Sequence, residues 1–216
     1  MADRLLAYFT FRILAGAPQL TAFTLAQQHL LEEKVELVYD AAELTLSGVR
    51  AKRNDVLRKY GLPQDALYVV ACGRLSEQKG HRYFIEAARR VLAEQGLQNI
   101  QFLIFGEGEY KRALQDQINR LHLEQHVRLL GIAPLTDILA MSDIFSLISL
   151  WEGFSIVLIQ AMNAGCAIVA SRVSGSVDAL IDGVNGLLVP PGDAAAAADA
   201  YLRLIADPAL RASLGV

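Results

Sequence analysis

The chain has 216 residues, of which 53% are hydrophobic and 20% are charged, and its formal net charge at pH 7 is −3. This composition excludes disordered and fibrous classes of protein, and the lack of a basic excess argues against a nucleic-acid binder. The two cysteines, Cys72 and Cys166, lie in apolar stretches. We therefore interpret them as buried thiols of a protein in a reducing compartment rather than as a disulfide.

Residues 1–34 form the first predicted unit, a helical N-terminal arm or interdomain remnant. The stretch Leu5–Leu14 is apolar around the whole circumference of a helix, and such a helix requires burial against another element. We hypothesise that the arm docks on a partner, on a second copy of the chain or peripherally on a membrane surface. A secretory signal is the alternative, because Arg4 precedes the apolar run and Ala15–Ala17 resembles a cleavage site. Arg12 interrupts that run, which favours a cytoplasmic protein.

Residues 35–216 form the second predicted unit, in which short β-rich runs alternate with longer helical patterns. This alternation predicts right-handed crossovers and an α/β fold, a Rossmann-like parallel sheet with helices on both faces. The predicted strands are Val35–Tyr39, Leu67–Ala71, Gln101–Phe105, Val127–Leu130, Ile144–Ile148, Ala167–Ala170 and Leu187–Val189. The predicted helices are His81–Ala93, Glu109–Leu121, Leu135–Met141, Ile156–Ala164 and an alanine-rich helix that Asp193 caps.

The loop Gly73–Gly80 follows the second of these strands and carries two cations, Arg74 and Lys79. Ligands of parallel α/β sheets bind outside the carboxyl ends of the strands. Arginine suits bidentate contacts to phosphate, and lysine offers a point charge. The alternative is an ordinary solvated loop whose cations face water.

The sequence Gly106-Glu107-Gly108-Glu109 follows the next strand and opens a helix. Two glycines allow the backbone to approach a ligand closely, but the two carboxylates argue against an anion there. A plain turn from strand to helix is the alternative interpretation.

The segment Trp151–Ser155 follows the strand Ile144–Ile148 and leads into a helix. The free N–H groups of the first helical turn, at Phe154, Ser155 and Ile156, are placed to hold an anion. Glu152 is placed to accept hydrogen bonds from the hydroxyl groups of a polyol. The alternatives are that Glu152 only complements the helix dipole and that Gln160 is an exposed helix residue.

Two further groups of residues are weaker candidates. The small-residue turn Ser174–Asp178 offers hydrogen-bond donors, although it also fits a capping turn. The pair His122 and His126 lies at a predicted helix end, where histidine complements the helix dipole. No metal site is predicted, because the other histidines show no metal-ligand spacing.

Taken in chain order, these loops resemble the C-terminal, donor-binding domain of the family 4 glycosyltransferases, which have the GT-B fold. The resemblance covers roughly residues 35–216 and is carried by four segments, Gly73–Gly80, Gly106–Gly108, Glu152–Gly165 and Asp182–Asp193. It implies retaining, metal-independent transfer of a sugar from a nucleotide-diphosphate sugar, with no cofactor besides that substrate. The family also has an N-terminal acceptor domain, which residues 1–34 are too short to supply.

The resemblance also implies roles for individual residues. Arg74 and Lys79 match positions that hold the donor diphosphate, and Glu152 matches the glutamate that contacts the transferred sugar; these three form the predicted catalytic set. The remaining predicted substrate-binding residues are Gly73, Gly106 and Gly108 in the glycine loops, Leu130 at the nucleobase edge, the backbone amides of Phe154, Ser155 and Ile156 at the diphosphate, and Gln160 at the ribose.

The sequence departs from the family pattern at three places. Gln160 stands where a second glutamate normally binds the ribose, and Ser155 replaces a glycine beside the phosphate. Ser174–Asp178 replaces a Gly-Gly-x-Pro-Glu pattern. These departures leave open a catalytically inactive nucleotide-sugar-binding or partner-docking module. An unrelated nucleotide-binding domain would instead have no pocket that joins Arg74, Lys79 and Glu152.

Overall fold

A computed structural model describes residues 13–15, 25, 35–37, 46, 48–94, 99–153 and 155–215 of the chain. Two short strands, β1 (Ile13–Ala15) and β2 (Val35–Leu37), pair in parallel. The sequence predicts a helical arm or an interdomain remnant over residues 1–34, and within it residues Ile13–Ala15 form a strand rather than a helix. A short apolar run fits a strand as well as a helix, so periodicity alone does not distinguish them. Leu25 is helical, and the other residues of the predicted arm lie outside the described residues.

The main sheet has six parallel strands in the order β5-β4-β3-β6-β7-β8. Every strand predicted from Leu67 onward is present, with ends shifted by at most one residue. The strands are β3 (Leu67–Cys72), β4 (Ile100–Phe105), β5 (Val127–Leu129), β6 (Ile144–Leu147), β7 (Ala167–Ser171) and β8 (Leu187–Val189).

Helices precede, separate and follow these strands, and the five predicted helices are among them. They are α1 (Arg53–Lys59), α2 (His81–Leu92), α3 (Lys111–Arg120), α4 (Leu135–Met141), α5 (Ile156–Asn163), α6 (Ser174–Val177), α7 (Ala194–Ala206) and α8 (Pro208–Ser213). The predicted cap of α7 is confirmed, because the Asp193 carboxylate accepts hydrogen bonds from the backbone N–H groups of Ala195 and Ala196.

Both faces of the sheet are covered by helices. Alternate residues of β3 point to opposite sides, so Val69 and Ala71 join one hydrophobic cluster while Tyr68 and Val70 join the other. Helices α2, α3 and α7 supply the first cluster, and α1, α4 and α5 supply the second. The Rossmann-like fold predicted from the sequence is thereby confirmed.

A polar clip closes the amino-terminal edge of the sheet. The Asp143 carboxylate accepts hydrogen bonds from Arg50, Arg53 and the backbone N–H of Tyr68, at 2.9 to 3.0 Å. Arg50 also donates to the Ser142 carbonyl at the end of α4. The clip joins α1, β3 and the start of β6 at the edge away from the predicted ligand loops.

The chain changes direction within the sheet between β3 and β6. From β3 it runs outward through β4 to β5, and then returns to pair β6 with the other side of β3. The loop that leaves β3 and the loop that leaves β6 therefore run in opposite directions across the sheet. This leaves a crevice between them at the carboxyl ends of the two strands. The loops that border the crevice are 73–80 and 148–153.

Candidate functional site

The loops after β3 and β6 are joined through their backbones. Gly80 has φ 65°, and a Cβ on it would lie 2.2 Å from the carbonyl oxygen of Ile148. The Leu150 N–H donates to the Gln78 carbonyl at 2.7 Å, and the Gln78 amide donates to the Trp151 carbonyl at 3.0 Å. The glycine at position 80 is therefore required for one loop to lie directly on the other.

An ion pair between Lys79 and Glu152 spans these two loops. The Lys79 ammonium lies 2.6 Å from Oε1 of Glu152, and the Ser149 hydroxyl donates to the same oxygen, also at 2.6 Å. The Glu152 side chain is only 6% exposed and that of Lys79 is 20% exposed. A carboxylate so far removed from water needs such partners, because an unpaired buried charge is costly. The structure thus brings together two of the three predicted catalytic residues.

A cavity of about 350 Å³ opens at the carboxyl ends of β3, β4 and β5; Gly73 in its lining adjoins the Lys79 side chain, but neither Lys79 nor Glu152 lines it. Its lining is mainly apolar, and Ile132 at its rim is 82% exposed. The lining residues come from three loops and from the start of α4: Cys72, Gly73, Arg74, Phe105, Gly106, Glu107, Gly131, Ile132, Ala133, Leu135 and Ile138.

The predicted nucleobase edge after β5 reaches this cavity through the residues that follow Leu130. Gly131, Ile132 and Ala133 line the cavity, whereas Leu130 itself packs against the hydrophobic cluster on the α4 side of the sheet. Leu130, the residue predicted from the sequence, is therefore one position before the residues that line the cavity.

The glycines after β4 allow neighbouring loops to touch. A Cβ on Gly106 would lie 1.9 Å from the carbonyl oxygen of Gly73, and one on Gly108 would lie 2.4 Å from that of Leu75. Glycine is therefore needed at both positions, because the loop after β4 lies directly against the backbone of the loop after β3. Gly73 and Gly106 also line the cavity.

Arg74 reaches the same cavity from the loop after β3. Its side chain is 73% exposed, and its only ion pair among the described residues is a long one, 3.4 Å, to Glu109. Glu107, which also lines the cavity, pairs with Lys111 at 2.8 Å. The guanidinium of Arg74 is therefore accessible to a ligand in the cavity.

The start of α5 borders the Glu152 loop. Ser155 occupies the N-cap position and is buried, but its side chain makes no capping hydrogen bond. Ile156 opens the helix and is exposed, and Gln160 one turn further is half-buried. Phe154 lies outside the described residues.

Sequence reasoning missed two polar residues at this site, Ser149 and His81. Ser149 is the second residue after β6, so its place at a strand end was a usable signal. His81 is the first residue of α2 and is buried, which lowers the pKa of its imidazole to about 4. Burial also raises the pKa of the Cys72 thiol, which lines the cavity, to about 12, so this cysteine is unreactive.

Two further observations concern the described part of the chain only. It contains no group of three or more His, Cys, Asp or Glu side chains that could hold a metal ion. None of its helices is long and apolar enough to cross a membrane.

Comparison with known proteins decides the family. Residues 66–207 match the family model of the glycosyl transferases group 1. The chain belongs to the group 1 glycosyltransferase family. It is similar to alpha-D-kanosaminyltransferase of Streptomyces kanamyceticus, with 32% identity over 74% of this chain and 42% of that protein. The chain spans about half the length of the curated relatives it matches.

Solved structures show which part of a group 1 enzyme the chain resembles. The C-terminal domain of a group 1 glycosyl transferase from Francisella tularensis superposes with a TM-score of 0.67 and 25% identity, over 76% of this chain and 87% of that domain. HepE of Anabaena, in complex with UDP and glucose, superposes with a TM-score of 0.89 and 24% identity, over 99% of this chain and 59% of that one. The expected relation to the C-terminal domain of a GT-B glycosyltransferase is confirmed.

Proposed function

We propose that the chain is the donor-binding half of a family 4, retaining glycosyltransferase that uses a nucleotide-diphosphate sugar. The observation that carries this proposal is the Lys79–Glu152 ion pair, which lies in the crevice between β3 and β6 beside an apolar cavity. A cation for phosphate, a carboxylate for hydroxyl groups and an apolar space for a base then lie next to each other.

The chemistry assigned to this site is electrostatic. As the bond between the sugar and the diphosphate breaks, negative charge develops on the leaving phosphate. Arg74, Lys79 and the free N–H groups at the start of α5 stabilise that charge, which is the largest contribution in many enzymes. These groups belong to the protein, and the proposal requires no metal ion.

Glu152 orients the transferred sugar in this proposal. Its Oε1 atom already accepts from Lys79 and from Ser149, both at 2.6 Å. These bonds fix the plane of the carboxylate, so that it accepts hydrogen bonds from sugar hydroxyls in one orientation. When the donor diphosphate arrives, Lys79 is shared between it and Glu152.

The nucleoside is assigned to the cavity of about 350 Å³. The apolar side chains of Ile132, Ala133 and Leu135 suit the faces of a base. Gly106 and Gly131 also line the cavity, and their backbone groups are available for hydrogen bonds to the edges of the base. UDP is the first nucleotide to test, because HepE of Anabaena was crystallised with UDP and glucose.

Titration calorimetry with UDP and GDP tests the donor site. We expect Arg74→Ala and Lys79→Ala to weaken nucleotide binding at least about tenfold, since each removes a charged contact to the diphosphate. Lys59→Ala is the matched control, because Lys59 forms an ion pair of the same length, 2.6 Å, with Asp137. Unchanged affinity in both site variants would refute the roles of Arg74 and Lys79.

A non-catalytic binding module is the second candidate, and the residues Ser155 and Gln160 favour it. Ser155 places a Cβ beside the proposed phosphate site, and Gln160 lacks the charge that would strengthen a bond to ribose. Incubation of the chain with UDP-sugars separates the two candidates. Hydrolysis or transfer supports the enzyme, whereas binding without turnover, also when an acceptor domain is supplied, supports the module.

A further inference from the structure

Glu107 is the one acidic side chain among the described residues that line the cavity assigned to the nucleoside. Apart from Arg74, the other residues of that lining are uncharged. A carboxylate accepts hydrogen bonds and repels phosphate. The Glu107 side chain therefore suits a neutral part of the ligand that donates hydrogen bonds.

The backbone around Glu107 is held between the loops that follow β3 and β5. The Glu107 carbonyl accepts a hydrogen bond from the Leu75 N–H at 2.9 Å, and the Gly106 N–H donates to the Gly131 carbonyl at 2.8 Å. Gly106 and Gly108, on either side of Glu107, lie too close to neighbouring backbone to carry a Cβ. The point from which the Glu107 side chain leaves the backbone is therefore fixed relative to the walls of the cavity.

The Glu107 carboxylate lies against Gly131, at the start of the loop after β5. A Cβ on Gly131 would lie 3.4 Å from Oε1 of Glu107. The next two residues, Ile132 and Ala133, supply part of the apolar wall proposed for the base. Because ribose is bonded directly to the base, the carboxylate lies close to both parts of a nucleoside in this cavity.

One oxygen of the Glu107 carboxylate is open to a ligand. The Lys111 ammonium donates to Oε1 at 2.8 Å, whereas Oε2 accepts no hydrogen bond from the part of the chain that the structure describes. The Glu107 side chain is 45% exposed. The carboxylate is thus held at one oxygen and accessible at the other.

A uridine nucleotide has three neutral donors that a carboxylate can bind: N3–H of uracil and the 2′ and 3′ hydroxyls of ribose. The N3–H group lies between two carbonyl oxygens, which a carboxylate repels. The two hydroxyls are neighbours on the ribose ring, so they can both donate to one carboxylate. A carboxylate binds a ribose hydroxyl in this way in the dinucleotide-binding Rossmann folds. The ribose hydroxyls are therefore the better fit.

Gln160, which the resemblance assigns to the ribose, does not line this cavity. It also lacks a charge, so its hydrogen bonds to hydroxyl groups are weaker than those of a carboxylate. We propose that Glu107 is a substrate-binding residue for the ribose, and that its carboxylate accepts hydrogen bonds from the 2′ and 3′ hydroxyls of the donor nucleotide. This inference rests on the proposed donor site.

Calorimetry with UDP and with 2′,3′-dideoxy-UDP, which lacks both hydroxyls, tests the assignment. We expect the wild type to bind UDP about tenfold more tightly than the dideoxy nucleotide, because charged hydrogen bonds are lost with the hydroxyls. Glu107→Gln should reduce this ratio to about twofold, since an amide has one acceptor oxygen and no charge. Its affinity for the dideoxy nucleotide should stay within about twofold of the wild-type value.

Lys111→Met is the matched control, because it removes the same ion pair but keeps the carboxylate. Its ratio of UDP to dideoxy-UDP affinity should stay within about twofold of the wild-type ratio. Both side chains are about half exposed, so both variants should fold, and thermal unfolding checks this. Should Glu107→Gln not fold, Glu107→Ala makes the same test. If the wild type binds GDP instead of UDP, GDP and 2′,3′-dideoxy-GDP are compared in the same way.

The outcomes are distinct from those for the donor site itself. Glu107→Gln that keeps the wild-type ratio, or that weakens both nucleotides equally, overturns the role of Glu107 at the ribose while the donor site stands. A wild type that binds the nucleotide and its dideoxy form equally well also overturns it. A wild-type chain that binds neither UDP nor GDP overturns both proposals.

Discussion

Replacing Lys79 by methionine separates the stabilising role of the Lys79–Glu152 pair from its proposed binding role. Methionine keeps most of the side-chain stem but leaves the Glu152 carboxylate, which is 6% exposed, without its cation. Breaking a buried ion pair from one side costs about 3–5 kcal/mol. Because Lys79 is 20% exposed and Ser149 stays bonded to the carboxylate, we expect the lower end, about 3 kcal/mol.

The second substitution, Glu152→Gln, removes the charge that Lys79→Met leaves unpaired. The double variant should therefore recover about 2 kcal/mol of the loss, since a buried amide is much less costly than a buried carboxylate. Its affinity for UDP should stay as low as that of Lys79→Met, because the cation is still absent. Stability would then recover while UDP affinity would not.

Urea denaturation at pH 7, followed by calorimetry with UDP, measures both quantities. Lys59→Met is the matched control: its pair with Asp137 has the same length, but Lys59 is 58% exposed, so the loss of this pair should cost much less stability than the loss of the Lys79 pair. If Lys79→Met is as stable as this control, the reasoning from the burial of Glu152 is refuted. If the double variant regains UDP affinity, Lys79 has no direct contact with the diphosphate.

Three further predictions concern stability. Gly106→Ala should lower the free energy of unfolding by several kcal/mol, because the new Cβ would lie 1.9 Å from a carbonyl oxygen. Gly61→Ala, also at positive φ but with open space around it, should lower it by only about 1 kcal/mol. Equal losses of stability for the two variants in urea denaturation would contradict this. The pKa of His81 is near 6.5 in the unfolded chain and about 4 in the folded one, so the unfolded chain binds the proton first as the pH falls. The free energy of unfolding should therefore drop by about 2 kcal/mol from pH 6.5 to pH 5. An equally steep drop in His81→Asn would show that other groups cause it. Asp143→Asn should lower the free energy of unfolding by about 3 kcal/mol, since it leaves the guanidinium groups of Arg50 and Arg53 without their carboxylate partner. Its UDP affinity should equal that of the wild type, because the clip lies at the opposite edge of the sheet, and weaker binding by the folded variant would be inconsistent with this account.

The fold was predictable from the sequence where local signals agree with one another. The apolar run from Leu67 suits a strand buried on both faces, and Asp193 before a run of alanines marks a helix start. Both predictions are confirmed because neighbouring residues determine these elements. The strand Ile13–Ala15 was not predicted, since its pairing with Val35–Leu37 depends on residues far along the chain.

The site was predictable in its parts but not in its contacts. The strand-end loops indicated Lys79 and Glu152 separately, but the two residues are 73 positions apart, and no local pattern states that they touch. The role of Gly106 was also hidden, because only the folded chain shows the Gly73 carbonyl beside it.

A crystal structure of the chain soaked with UDP tests the central claim most directly. The account predicts that the diphosphate lies within hydrogen-bond distance of the Lys79 ammonium and the Arg74 guanidinium, with uracil in the cavity beside Ile132. A diphosphate bound instead at the amino-terminal edge of the sheet, near Arg50, would contradict it.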